Sequence, residues 1–383
     1  MSRRDWHKLC WSVHWWFGLW AGGCFALSGL TGSCLVFYQH IDEWLNPEIR
    51  RVVDRGTYRR FEDMVAAART ARPDLPQPYG LFLPQSRQGV VEARFKVPVG
   101  EAGPVMDIEV TIDPFRAEVL GRGRIWGHTV VSWIYEVHKA WLLDGVGDVF
   151  VGSVGLLLVL SIGSGLFLWW KKPGRVCPPS ARTPKAHGSR LYGSLHTLTG
   201  LVGSVPLLVV AGTGLYLVFP AFVVPLVHAI FPVPSEKEWR STVTVEASPL
   251  SVDQAVDVAV RHLPDGELKW IGLPEHRDDT YQVGLRLPGE VRRTSSDTVV
   301  WIDQYSGAVV HVQDWRRFTV GETVLAWLFP LHNGEAFGST GRWVVFVAGL
   351  VPMALYVTAC RLWWLKRAAR VARCAGPPPL ASP

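Results

Sequence analysis

Ser12-Val13-His14-Trp15-Trp16-Phe17-Gly18 and Ser194-Leu195-His196-Thr197-Leu198-Thr199-Gly200 carry one pattern at two places in the chain. Each opens a long run without Asp, Glu, Lys or Arg. Those runs cover residues 9–41 and 191–235, and two more cover 149–170 and 343–360. Each is long enough, or nearly so, to cross a hydrocarbon core of ~30 Å at ~1.5 Å per residue. Four transmembrane helices are therefore expected, over residues 11–38, 149–170, 191–219 and 342–365. Trp169-Trp170-Lys171-Lys172 and Trp363-Trp364-Leu365-Lys366-Arg367 favour spans over buried helices of a soluble protein, because Trp beside basic residues marks a membrane interface.

Charge sets the expected orientation. Arg3, Arg4 and Lys8 precede the first span, and the segments 171–190 and 361–373 are basic with no acid. Excess Lys and Arg stay on the cytoplasmic side. Residues 1–10, the loop 171–190 and the tail 366–383 are then cytoplasmic, and 39–148 and 220–341 lie outside. All acidic residues except Asp5 fall in those two outer stretches. The net charge of +6 thus reflects topology and does not point to nucleic acid. The first span is too long and too Trp-rich for a cleaved signal peptide. None of the six cysteines (Cys10, Cys24, Cys34, Cys177, Cys360, Cys374) lies in an outer stretch, so no disulfide framework holds them.

The chain is two copies of one unit. The offset that brings His14 onto His196 also brings Gly18 onto Gly200 and Thr31-Gly32 onto Thr213-Gly214. A second offset brings Trp133 and His138 onto Trp327 and His332, and Gly155 onto Gly349. Each unit reads helix, outer region, linker, helix, and the two units run parallel. Duplicated membrane halves of this kind are related by an axis along the membrane normal.

Four histidines therefore form two repeat-related pairs. Imidazole is a strong neutral iron ligand near pH 7. His14 with His196, and His138 with His332, would hold two haem irons, one toward each membrane face, and carry electrons across. On a regular helix His14, Gly18 and Gly32 share a stripe, as do His196, Gly200 and Gly214. Glycine there would clear room for a flat macrocycle, although small residues also serve plain helix packing. No Cys-x-x-Cys-His is present, so two b-type haems held by ligands and packing are expected. His40, His228 and His128 are alternatives for an outer ligand. His262, His276 and His311 read as solvent-facing, and His7 and His187 as incidental. Most tryptophans, among them Trp11, Trp15, Trp16 and Trp20, read as interface belts.

The outer stretches repeat as well. Phe61–Arg69 and Ser251–Val260 read as short helices, followed by alternating strands. Asp113-Pro114-Phe115-Arg116-Ala117 and Asp303-Gln304-Tyr305-Ser306-Gly307 read as hairpin turns. A helix, strands and an Asp-x-aromatic hairpin resemble the PepSY domain. The span-opening His-x3-Gly, with Leu331-His332-Asn333-Gly334-Glu335-Ala336-Phe337-Gly338, resembles the PepSY-associated transmembrane proteins of bacterial inner membranes, from about residue 7 to 367. The first repeat departs at Ala117, where Gly is usual, and at Lys139-Ala140-Trp141 after His138. The fold expected is an α-helical membrane protein with four transmembrane helices in two parallel repeats, plus two small periplasmic α+β PepSY-like domains.

Within that family the resemblance is to the ferrioxamine-linked siderophore reductase type. It implies haem-dependent reduction of ferric siderophores, hydroxamates above all, at the periplasmic face of the inner membrane. Gly121-Arg122-Gly123-Arg124-Ile125-Trp126-Gly127 has the wrong spacing for a dinucleotide fingerprint, and no Walker or His-Glu-x-x-His sequence occurs. With no flavin or nicotinamide domain, the electron donor is expected to be a quinol or another redox protein. Rival readings are a non-catalytic assembly or regulatory protein and a siderophore permease. Spans without carboxylates count against a proton-coupled permease.

Overall fold

A computed structural model describes residues 3–98, 105–125, 129–143, 145–171, 184–234, 237–243 and 247–374. The first repeat runs α1 (Arg3–Trp16), a π turn (Phe17–Ala21), α2 (Gly22–Val36), α3 (Tyr38–Leu45), α4 (Pro47–Arg50), α5 (Phe61–Ala71), β1 (Gly80–Phe82), β2 (Val91–Pro98), β3 (Val105–Asp113), β4 (Glu118–Ile125), α6 (Val130–Ala140) and α7 (Gly147–Trp170). The second runs α8 (Pro184–Val218), α9 (Pro220–Ile230), α10 (Val252–His262), β5 (Glu267–Gly272), β6 (Thr280–Arg286), β7 (Val299–Asp303), β8 (Val309–Gln313), α11 (Val320–Asn333) and α12 (Gly338–Cys374). Contacts divide the chain into a membrane unit (1–36, 137–220, 342–383) and an extramembrane unit (37–136, 221–341).

Four helical segments are long and apolar enough to cross a bilayer: Asp5–Val36, Gly147–Trp170, Gly188–Val218 and Glu335–Val371. Their outward side chains are apolar and aromatic: Trp16, Trp20, Trp170, Val202, Val205 and Trp364 are all exposed. That surface suits lipid and the Trp belts read from the sequence. Helix packing rests on small residues. Gly29 of α2 lies against the Gly349 backbone of α12, where any Cβ would collide with a carbonyl. One turn on, the Ser33 hydroxyl donates to Phe346 O at 2.8 Å. Close backbone approach with a crossing hydrogen bond is how apolar helices associate where no hydrophobic drive separates them from lipid.

Among the described residues the extramembrane unit holds one sheet, not two. Its order is β4-β3-β2-β1-β5-β6-β7-β8, antiparallel throughout. The two repeats meet at β1 and β5, in the register Gly80↔Gly272, Leu81↔Ile271 and Phe82↔Trp270. The separate α+β domains expected from sequence are thus halves of a single structure, because each half would otherwise leave β1 or β5 as an unpaired edge. The helices at 61–71 and 252–262 stand where they were expected, and both cover one face. Met64, Val65 and Ala68 of α5 and Val252, Ala255 and Ala259 of α10 enter one core with Leu81, Phe95, Val110, Ile271, Leu285 and Ile302. The helices cap each other. The Asp253 carboxylate accepts from Phe61 N and Glu62 N at 2.9 and 3.0 Å, and Glu62 Oε2 accepts from Val252 N at 3.0 Å. Carboxylates at helix N-termini satisfy orphan donors and suit the dipole.

The opposite face differs between the halves. In the first half Arg50 ties α4 to the sheet: Nε lies 2.6 Å from Asp42, Nη1 2.5 Å from Glu92 and Nη2 3.1 Å from Glu109. Arg124 grips Asp42 through both nitrogens at 2.9 and 3.0 Å, and Arg94 reaches Glu92 at 2.7 Å. Burial raises the Asp42 carboxyl, but the bonds and charges of Arg124 and Arg50 outweigh it and leave Asp42 below its ordinary range. Burial and the adjacent Glu92 push Glu109 up. In the second half, by register, Gln282, Gly284 and Val299 replace Glu92, Arg94 and Glu109. There the Trp270 indole covers Gly284 and donates to Ser296 Oγ at 3.0 Å.

Candidate functional site

His14 on α1 and His196 on α8 meet inside the membrane unit. Their ring centroids are 6.1 Å apart and their planes are 81° apart. Metal–imidazole bonds of about 2.0 Å, with about 1.1 Å from nitrogen to ring centre, would let two imidazoles on one metal ion stand up to about 6.2 Å apart between centroids. The 6.1 Å separation of the His14 and His196 rings lies within that reach.

The tautomer follows from the partners. His14 Nδ1 lies 3.0 Å from Ser161 O and His196 Nδ1 lies 3.2 Å from Leu355 O. A carbonyl only accepts, so each Nδ1 carries the proton and each Nε2 keeps its lone pair for a ligand. A hydroxyl three residues further along completes each seat. Ser164 Oγ lies 3.4 Å from His14 Nδ1, and Thr358 Oγ1 lies 3.0 Å from His196 Nδ1. These hydroxyls donate back to the same carbonyls, Ser161 O at 2.9 Å and Leu355 O at 2.9 Å, so toward the imidazoles they accept.

His138, in the last turn of α6, has the same seat. Its Nδ1 donates to Ser28 O at 3.0 Å and lies 3.2 Å from Thr31 Oγ1, which itself donates to Ser28 O at 3.1 Å. The same hydroxyl-to-carbonyl pair recurs at Thr213 and Val210 on α8, where the Thr213 hydroxyl donates to Val210 O at 3.1 Å. The hydroxyl-bearing residue is followed by glycine in three copies: Ser164-Gly165, Thr31-Gly32 and Thr213-Gly214. The reason is steric for two of them. A Cβ on Gly165 would stand 2.9 Å from His14 Cε1, and one on Gly32 would stand 2.8 Å from His138 Cε1. Ala359 takes that place after Thr358, at the His196 seat.

These seats change the reading of the glycines. The regular stripe through His14, Gly18 and Gly32 does not exist, because the π turn at Phe17–Ala21 adds a residue to one turn and rotates all that follows. Gly18 has open space where a Cβ would be, Gly200 makes ordinary contact with Leu355, and Gly32 serves the His138 ring. Gly214 follows Thr213, half-buried on α8. Sequence reasoning aligned Thr31 with Thr213 but gave the hydroxyls no part. The signal was the Ser/Thr-Gly pair recurring at the repeat offset.

His332 lies in the last turn of α11, in the extramembrane unit, whereas His138 belongs to the membrane unit. Its turn explains the motif after it. Gly334 closes α11 at φ 83°, and Asn333 Oδ1 accepts from Glu335 N at 2.9 Å. The fully buried Glu335 carboxylate accepts from Arg293 N and Thr294 N at 3.1 and 2.9 Å, pinning the β6–β7 loop. In the first repeat Trp141 and Leu142 turn the chain instead, at φ 51° and 57°, and the Trp141 indole donates to Ser28 Oγ at 3.3 Å.

Of the alternatives, His40 lies on α3 beside Phe37, His228 lies on α9, and His128 falls outside the described residues. His311 is not simply solvated: it stacks on Trp239 at 4.1 Å. Among the described residues no three His, Cys, Asp or Glu side chains cluster as a metal site. Two neighbouring imidazoles would suit an iron whose other ligands come with a macrocycle.

The PepSY-associated TM region family matches residues 11–366. The chain belongs to that family. No curated protein matches it. The PepSY-associated match spans both repeats, including all four histidines.

Proposed function

We propose that this protein is a di-haem, b-type electron carrier of the bacterial inner membrane that reduces ferric siderophores on the periplasmic side. The observation that carries the reading is the His14–His196 pair, with ring centroids 6.1 Å apart and both Nδ1 protons engaged by helix carbonyls. His14 and His196 would hold one haem, and His138, whose imidazole has the same carbonyl seat, would serve the other. A haem ligated by two imidazoles supplies one-electron carriage with no open site for oxygen.

The chain's own work is positioning. Each seat fixes the plane and tautomer of its imidazole and makes Nε2 the better donor. The glycines let the rings lie close to the neighbouring helix, and the apolar span excludes water. Charge bias supports cytoplasmic termini and a periplasmic extramembrane unit. Electrons then enter from a quinol or another redox protein. A hydroxamate siderophore is the favoured acceptor, because Fe(II) leaves hard oxygen ligands far more readily than Fe(III).

The experiment is stopped-flow reoxidation of the dithionite-reduced protein by a ferric hydroxamate, with a ferrous-specific chelator present. Reoxidation with Fe(II) capture is expected. Reduced haems indifferent to every ferric siderophore but reactive with another acceptor would retain electron transfer and remove the siderophore. A preparation colourless despite haem supply would favour the assembly or permease reading.

A further inference from the structure

The charge-free run 191–235 is longer than one membrane crossing needs. Its span covers Gly188–Val218, which is 31 residues. At ~1.5 Å per residue that is about 46 Å, against a hydrocarbon core of ~30 Å. The crossing is complete before α9 begins. Yet α9 (Pro220–Ile230) is a further apolar helix of 11 residues, about 16 Å long, with no Asp, Glu, Lys or Arg. The corner that leads into it is fixed in the membrane unit. Phe219 N donates to Leu215 O at 2.8 Å, and a Cβ on Gly152, in the second turn of α7, would collide with the Phe219 ring. α9 therefore starts where α8 leaves the bilayer. Just past its far end the chain is held by α11, where a Cβ on Gly321 would collide with Val233.

Phe222, Leu226 and Ile230 follow one another at four-residue spacing and form one stripe along α9. They are 77, 61 and 64% exposed. Val227 on another side of the helix is buried, and His228 lies on the side away from the stripe. The first repeat treats the corresponding helix differently. At the offset that brings His14 onto His196, Asp42, Glu43 and Trp44 of α3 fall on Val224, Pro225 and Leu226. Asp42 is gripped by Arg50 and Arg124, so ion pairs hold α3. α9 has no charge with which to make such a hold, and presents an apolar stripe instead.

We propose that α9 is a lipid-docking helix, its Phe222–Leu226–Ile230 stripe sunk among the acyl chains of the leaflet where α8 emerges. Lipid is the occupant for two reasons. The stripe continues, with no charged residue between, from exposed apolar side chains of α8 itself, among them Val202, Val205 and Leu217. A second copy of the chain would need about 800 Å² per partner for a stable interface, well beyond what three side chains offer. With no Lys or Arg on the helix, docking rests on apolar burial alone and does not select anionic headgroups. The inference is independent of the haem reading.

The test uses the full chain in liposomes of phosphatidylethanolamine and phosphatidylglycerol. The photoreactive residue p-benzoylphenylalanine replaces Leu226, Ile230 or Phe222 in turn, so that a variant that fails to fold leaves two others. Val53, exposed among Arg51, Asp54 and Arg55, is the reference position. After irradiation, mass spectrometry identifies what each probe has captured. Lipid adducts at the stripe are expected severalfold above those at Val53, with equal yield in pure phosphatidylcholine and at high salt. Leu226→Asp is expected to cut the adduct yield of a probe at Ile230 severalfold, because a carboxylate resists transfer out of water. Adducts no more frequent than at Val53, or a yield at Ile230 unmoved by Leu226→Asp, overturn the proposal. Chain-to-chain cross-links in place of lipid adducts overturn it in favour of an interface between copies. A yield that collapses without phosphatidylglycerol overturns it too, since headgroup charge would then hold the helix.

Discussion

The two repeats agree in the membrane and disagree in the sheet. Ser161 with Ser164 and Leu355 with Thr358 seat His14 and His196 in the same way, down to the hydroxyl that donates back to the carbonyl. The sheet halves keep their hydrophobic face but not the other one. Six charged groups join in the first half (Asp42, Arg50, Glu92, Arg94, Glu109 and Arg124), where the second has Gln282, Gly284, Val299 and an indole. Duplication has been kept at the histidine seats and relaxed on the polar face of the sheet.

The largest expected effect probes the agreement. His14→Ala and His196→Ala should each remove the same haem, so that a pyridine haemochrome assay falls from about two haems per chain to about one in both. Unequal losses would break the equivalence. The next effect probes the disagreement. Arg50→Ala strands Asp42, Glu92 and Glu109 without their shared cation, and losing one partner of a buried ion pair costs about 3–5 kcal/mol. Gln282→Ala, on the exposed counterpart position, should change stability by less than about 0.5 kcal/mol. Chemical unfolding followed by Trp fluorescence separates the two; similar values would mean that the network stabilises nothing.

A smaller effect belongs to the second half alone. Burial pushes the Glu290 carboxyl up from 4.5 to about 7, even though Thr298 and Asp297 donate to it. Its folded pKa exceeds its unfolded one, so the native state binds the extra proton between those values. Stability should then decline as pH rises from 4.5 toward 7, by at most about 3 kcal/mol, and Glu290→Gln should flatten the profile. A profile unchanged by that substitution would assign the pH dependence elsewhere. The smallest effect lies at the paired hairpins. Ala117 holds φ 56° where Gly307 holds 71°. A Cβ is costly in that region, so Ala117→Gly should stabilise the protein by about 1 kcal/mol, read as a raised unfolding midpoint.

Much of this was legible in the chain. Charge-free runs marked the four spans, and the Asp-x-aromatic hairpins marked the sheet, because hydropathy and turn chemistry are local. The β1–β5 junction was not legible. Three residues on each side carry no signal of their partner, and pairing across such a separation is decided by the shared core. His14 and His196 were visible through their repeat. Their seats were not, because a backbone carbonyl has no letter in a sequence and the Ser/Thr beside it resembles any other small residue in a span. The π turn hid for a related reason: Phe17–Ala21 is apolar whichever ladder it adopts, so a regular helical stripe was drawn through it.

The β1–β5 junction also sets an order of events in biosynthesis. Residues 80–82 leave the ribosome long before 270–272, and two membrane spans must be threaded between them. Until the second half arrives, the first half presents β1 as an unprotected edge, the kind of surface that recruits stray strands and invites aggregation. At three residues, β1 is as short as a useful strand can be. That brevity limits what the waiting edge can capture. It also leaves completion of the sheet to the helix-capping exchange between Glu62 and Asp253, which forms only when both halves are present.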